Sequence, residues 1–153
     1  MKSQYDTLGY MLGFNHVLAG SITALIVPAP LVPFVAVASH FVLDLSPHFG
    51  FPEGANPYAK PYRYVLILDG ILCIIALTLA LVIFPEKWFI VGVGGFFGIL
   101  PDLLWPLHHR INKTLDKFLD WANWIQWGER TYGWIFDAFY GMLMLIVLTQ
   151  FKF

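Results

Sequence analysis

The sequence predicts an all-α, polytopic membrane protein with about five crossing helices and one further helix lying in the membrane surface. Composition is the first reason: 58% of residues are hydrophobic and only 12% charged, whereas about a quarter are charged in soluble domains. Size is the second. A single domain of 153 residues leaves roughly a third of its unfolded surface exposed, so it cannot hide this much apolar area in one core. The third is that apolar runs between Pro, Gly and charge clusters approach the about 20 residues that cross a hydrocarbon layer as a helix.

The first helix is expected over 8–27 and holds Asn15, His16, Ser21 and Thr23. Pro28, Pro30 and Pro33 then force a turn before a short helix over 34–45, which either spans or returns as a re-entrant element. The loop 46–62 carries four prolines with Gly50 and Gly54, which is turn chemistry rather than a flexible linker. Helices over 64–84 and 88–105 follow, the second bearing Gly92, Gly94, Gly95 and Gly98. Its Gly94-x-x-x-Gly98 pair suits close helix packing, within the chain or in a homo-oligomer.

The polar connection 106–130 contains a stretch, 112–127, with Asn112 as N-cap. In it Ile111, Leu115, Phe118, Leu119, Ala122 and Ile125 recur at helical spacing opposite Lys113, Asp116, Lys117, Asp120 and Asn123. Trp121, Trp124 and Trp127 mark it as an amphipathic helix at the membrane surface, a reading compatible with packing on the bundle. A last helix is expected over 131–151. The whole, 1–153, reads as one membrane domain, and residues 1–13 lack the basic region of a signal peptide and read as retained.

A formal charge of −1 without a basic tract excludes nucleic acid as a partner. The single cysteine, Cys73, sits in an apolar run and allows neither an internal disulfide nor a cysteine-based zinc site. Five crossings place Lys2, Lys60, Arg63, Arg110, Lys113, Lys117 and Arg130 on the side of the N-terminus, and only Lys87 and Lys152 on the other. Cytoplasmic loops carry the excess of Lys and Arg, so the N-terminal side is expected to be cytoplasmic.

Four acids, Asp44, Asp69, Asp102 and Asp137, fall inside the expected crossing helices, which contain no Lys or Arg. An intramembrane carboxylate without a basic partner is protonated or bound to a cation. Each of these acids, and His16, falls toward the cytoplasmic end of its helix, so the five helices offer polar groups at similar depth. His40 and Asp44, at i and i+4, share one helical face and can ligate one ion. Pro47 ends that helix and presents His48 from the first loop turn. His and Asp donors without cysteine suit Zn²⁺, Mn²⁺ or Fe²⁺, and the carboxylates could bridge one or two ions. His108 and His109, beside Arg110, read equally as solvated residues or as ligands.

On these residues the chain resembles the family of small inner-membrane metal-dependent hydrolases regulated by the SOS repressor in bacteria. The matching pieces are His16 in Asn15-His16-Val17-Leu18-Ala19-Gly20, Pro101-Asp102 closing Gly98-Ile99-Leu100-Pro101-Asp102, and Ser39-His40 with Asp44. The family's Pro-Asp segment continues with a second Asp and a His where this chain has Leu104 and Trp105. Its H-R-G-x-T-H-S segment is echoed only by His109-Arg110 with Thr114, and the order of segments differs. The resemblance implies an integral inner-membrane enzyme with His16, His40, Asp44 and Asp102 in a metal site. The H-x-x-x-D spacing is also similar to that of helical zinc phospholipases C and related nucleases, which implies phosphoester chemistry.

The resulting expectation is a metal-dependent hydrolase, zinc first among the metals, that cleaves a lipid-borne ester or phosphoester at the cytoplasmic interface. His16, His40, Asp44, Asp69 and Asp102 are the expected ligands, with His48 and Asp137 as acid/base or supporting groups. Membrane lipid and a lipid-like substrate are the expected partners. The alternatives are a small cation or proton transporter using the same residues, and a structural subunit in which the aspartates only join helices.

Overall fold

The computed structural model describes residues 12–51 and 59–151. The expectations for residues 8–11, for Gly54 and the two prolines between 52 and 58, and for Lys2 and Lys152 lie outside the described residues. Among the described residues six α-helices are formed: α1 Gly13–Ile26, α2 Val32–Asp44, α3 Lys60–Ile83, α4 Trp88–Leu104, α5 Lys113–Ile125 and α6 Trp134–Gln150. A short parallel ribbon joins β1, His48–Phe49, to β2, Glu129–Arg130. The helices alone are legible in the sequence; two residues per strand are too few for a period-2 pattern to register.

Prolines set the helix starts. Pro33 lies in the first turn of α2 and Pro61 in the first turn of α3, where a missing N–H costs no hydrogen bond. Both helices therefore begin earlier than the apolar runs alone indicate. In contrast α6 starts at Trp134 rather than at Thr131, because the preceding turn belongs to the ribbon. Asn112 caps α5: its Oδ1 accepts from the N–H groups of Thr114 and Leu115 at 3.0 and 2.9 Å.

Helix α1 is central and packs most extensively on α4, with α2, α3 and α6 around it. Its core contacts include Val17, Leu18, Ala24, Val91 and Leu148. Contact between α1 and α4 is backbone to backbone. A Cβ at Gly20 would run into the Gly94 carbonyl oxygen, one at Gly94 into that of Gly20, and one at Gly98 into that of His16. The Gly94-x-x-x-Gly98 pair thus faces Gly20 of its own chain.

Two helical stretches, Lys60–Ile83 and Pro85–Leu107, are long and apolar enough to cross a membrane, and α1, α2 and α6 are shorter apolar helices. Only 17% of the most apolar window of α3 is buried within the protein. Ile67, Leu68, Ile71, Ile74, Ile75, Leu79 and Val82 all face outward from it. On α5, Leu119, Ala122 and Ile125 face the bundle while Trp121 and Trp124 stay exposed. Ile111, expected on the packed face, is exposed in the turn before α5 begins.

Gly94→Ala tests the α1–α4 contact. Alanine gains about 1 kcal/mol of helix propensity over glycine, but overpacking against a backbone oxygen that cannot rotate away costs about 1–3 kcal/mol. The variant is expected to unfold at lower temperature than wild type in the same detergent. An unchanged or higher melting temperature would refute the close approach.

Candidate metal centre

Three helices bring their polar residues to one end of the bundle. His16 comes from the first turn of α1, His40 and Asp44 from the last turns of α2, and Asp102 from the last turn of α4. His16 Nε2 lies 3.3 Å from Asp44 Oδ1, and His40 Nε2 lies 3.2 Å from Asp44 Oδ2. Asp102 reaches toward both imidazoles, at 3.9 Å from His16 Nε2 and 3.7 Å from His40 Nε2. The two rings stack with centroids 3.8 Å apart.

These approaches are close, yet among the described residues neither oxygen of Asp44 accepts a hydrogen bond, and neither nitrogen of His16 has a hydrogen-bond partner. Buried polar atoms are seldom left this way unless something else binds them. Donor atoms 2.0–2.2 Å from a common tetrahedral ion stand about 3.4 Å apart, close to the separations found here. His40 also carries the outer contact usual for a metal-binding imidazole: its Nδ1–H donates to the Gly98 carbonyl at 2.8 Å, which leaves the Nε2 lone pair facing the carboxylates. The buried group His16, His40 and Asp44 can therefore hold a metal ion. Asp102 is its open edge, with a side chain 23% exposed while the other three are almost completely enclosed.

Backbone features place this set. Gly98 serves twice, admitting the His16 carbonyl where a Cβ would stand and presenting its own carbonyl to His40. Pro101 removes the hydrogen bond that would reach back to Phe97, one residue before that carbonyl, and so interrupts the α4 ladder there.

Asp69 and Asp137 have other partners. Asp69 was expected as a ligand, but its Oδ2 and Oδ1 accept from the N–H groups of Gly13 and Phe14 at 2.9 and 3.2 Å. It caps α1 from a neighbouring helix, where the helix dipole favours a negative charge. Asp137, expected as an acid/base or supporting group, has Oδ1 accepting from Asn15 Nδ2 at 3.2 Å and Oδ2 from the Phe49 N–H at 3.0 Å. It ties α6 to α1 and to the ribbon.

The ribbon carries His48 beside Glu129 in register. Glycines permit it: a Cβ at Gly128 would strike the Ser46 carbonyl, and one at Gly133 the His48 carbonyl. The His48 Nδ1–H donates to the Ser46 carbonyl at 2.7 Å, which leaves Nε2, buried and without a partner among the described residues, to carry the lone pair. Burial pushes His48 below the ordinary histidine value, against opposing influences from Ser46 and Asp44. Glu129 has a buried Oε1 without a partner among the described residues, and burial with the nearby Asp44 charge pushes its carboxyl up to about 7. Sequence reasoning missed Glu129, since it lies in a polar connection with no helical face to share; the flanking Gly128 was the available sign of close backbone packing.

In the unfolded chain Glu129 titrates near 4.5. Between about 4.5 and 7 the folded state therefore holds a proton that the unfolded state has lost, and stability falls as pH rises through that window. Glu129→Gln, studied metal-free, is expected to lose less stability than wild type between those two pH values. Parallel stability curves for the two proteins would refute the burial of this carboxyl. No family model, curated protein or solved structure matches the chain, so the centre is read from its own residues.

Proposed function

We propose that this protein is a polytopic inner-membrane enzyme that hydrolyses a lipid-borne phosphoester at the cytoplasmic interface, with zinc as its metal. The observation that carries the reading is the enclosed set His16, His40, Asp44 and Asp102, with its unpartnered donor atoms, at one end of an apolar bundle. The outward apolar face of α3 supports membrane insertion, because water cannot cover it without cost. The charge bias of the loops supports a cytoplasmic location for the end that bears the site.

A divalent ion held by these residues would acidify water at neutral pH and polarise a phosphoryl oxygen. The chain's own residues supply the rest. His48 Nε2, fixed as an acceptor by the Ser46 carbonyl, takes the proton of the attacking water. Glu129, whose burial favours the protonated carboxyl, gives a proton to the leaving oxygen. Both lie within electrostatic reach of Asp44. Asp137 and Asn15 hold the ribbon and α1 in place. Exposed Trp121 and Trp124, on the helix that packs against Phe41 beside His40, seat the enzyme at headgroup depth, where substrate reaches the Asp102 edge.

Transport is less well supported. Beyond His16 the interior between α1 and α4 is lined mainly by Val17, Leu18, Ala24 and Val91; Ser21 is buried there, and the Thr23 hydroxyl donates to its own helix at Ala19, so the polar groups thin to two hydroxyls without a further charged or imidazole side chain among these residues. A path across the bilayer needs polar groups to continue.

The test is metal content of the full chain by elemental analysis, followed by phosphate or phosphoryl-headgroup release from phosphatidylethanolamine and phosphatidylglycerol vesicles. Wild type is expected to hold zinc in this centre and to turn over. His16→Ala and Asp44→Asn should lose that metal and lower turnover by more than the about 10- to 100-fold typical of a disturbed outer contact. Protein that stays metal-free after loading with Zn²⁺ and Mn²⁺ would refute the centre, and metal without any turnover on either lipid would refute the substrate class.

A further inference from the structure

A second group of donors lies outside the buried centre, where the turn after α4 meets α5. His108 and His109 sit in that turn, and Asp116 and Asp120 lie four residues apart on one face of α5. His108, His109 and Asp116 each offer a donor atom, and the three atoms lie within 4.8 Å of one another. The imidazoles stack with centroids 3.8 Å apart, and the Trp105 ring lies 4.9 Å from that of His108.

Ordinary ion pairing accounts for only part of this arrangement. His108 Nε2 lies 3.1 Å from Asp120 Oδ1, a normal hydrogen bond. His109 Nδ1 stands 3.7 Å from Asp116 Oδ2, too far for a hydrogen bond but suited to two ligands of one ion. The other oxygen of Asp116 accepts the His109 N–H at 2.7 Å, which fixes the carboxylate. His109 is also, among the described residues, the one non-glycine with positive φ, at 60°. Positive φ is uncommon outside glycine, though histidine adopts it more readily than most residues, and here it accompanies the stacking of the ring on its neighbour.

We infer that His108, His109 and Asp116 form a second, solvent-accessible site for a divalent transition-metal ion such as Zn²⁺, with Asp120 orienting His108. Two imidazoles and one carboxylate suit zinc and its neighbours over calcium or magnesium, which prefer oxygen alone. The His109 side chain is 53% exposed, so water completes the coordination and the ion exchanges readily. A bound ion joins the end of α4, which bears Asp102, to α5. The inference is independent of the hydrolase reading.

Zinc binding to the purified full chain, measured by equilibrium dialysis with elemental analysis, tests it in an Asp44→Asn background that removes the inner centre. That protein is expected to retain about one exchangeable zinc. Adding His109→Gly, which keeps the positive φ while removing the ring, or Asp116→Asn should abolish it. With cobalt in place of zinc, the visible ligand-field band of the Asp44→Asn protein should disappear in the same two variants. The site is refuted if Asp44→Asn binds no zinc, or if His109→Gly and Asp116→Asn both bind as much as their parent. His109→Gly alone, with Asp44 intact, should keep the inner zinc; its loss as well would refute two separate sites.

Discussion

The position of Gly98 is the constraint on which the rest of this structure depends. At this residue α1 presses its His16 carbonyl against α4 where any side chain would intervene. From the same residue a carbonyl oxygen turns to the His40 imidazole of α2. Three helices are thus indexed against one another at a single backbone unit, and the two imidazoles stack as a result. A side chain here would separate α1 from α4 by the thickness of a methyl group. Donor atoms 3.2 to 3.9 Å apart would then no longer share a common centre.

Much of this architecture is legible in the sequence because two strong signals coincide. Apolar runs long enough for helices locate α3 and α4, and acids without basic partners single out the residues that need an explanation. Asp44 and Asp102 meet the two histidines, whereas Asp69 and Asp137 do not. The difference is invisible in one dimension: all four are carboxylates within apolar helices, and only the fold decides which of them meets backbone N–H groups. Asp69 lies opposite the buried start of α1, a helix whose own cap residue, Leu12, has no side chain able to cap it. Asp137 lies opposite Asn15 and the ribbon.

Glu129 shows the other kind of limit. Periodicity finds residues that share a helical face, and Glu129 acquires its surroundings from a strand pair only two residues long. Gly128 and Gly133 permit that pair, but a glycine beside a charged residue in a loop has many ordinary explanations. The Gly94-x-x-x-Gly98 pair was open to packing within or between chains, and it is occupied by Gly20 of the same chain. Spacing reports that a close approach is possible; only the fold names the neighbour.

The ribbon also bears on the order of assembly. His48 and Glu129 are 81 residues apart in sequence, so this small ribbon closes a very long loop for the sake of a few hydrogen bonds. Loop closure of that length is favourable only after the intervening helices have already brought its ends together. During synthesis α1, α2 and α4 can gather His16, His40, Asp44 and Asp102 while Glu129 is still being translated. These four side chains can then be together before the ribbon exists.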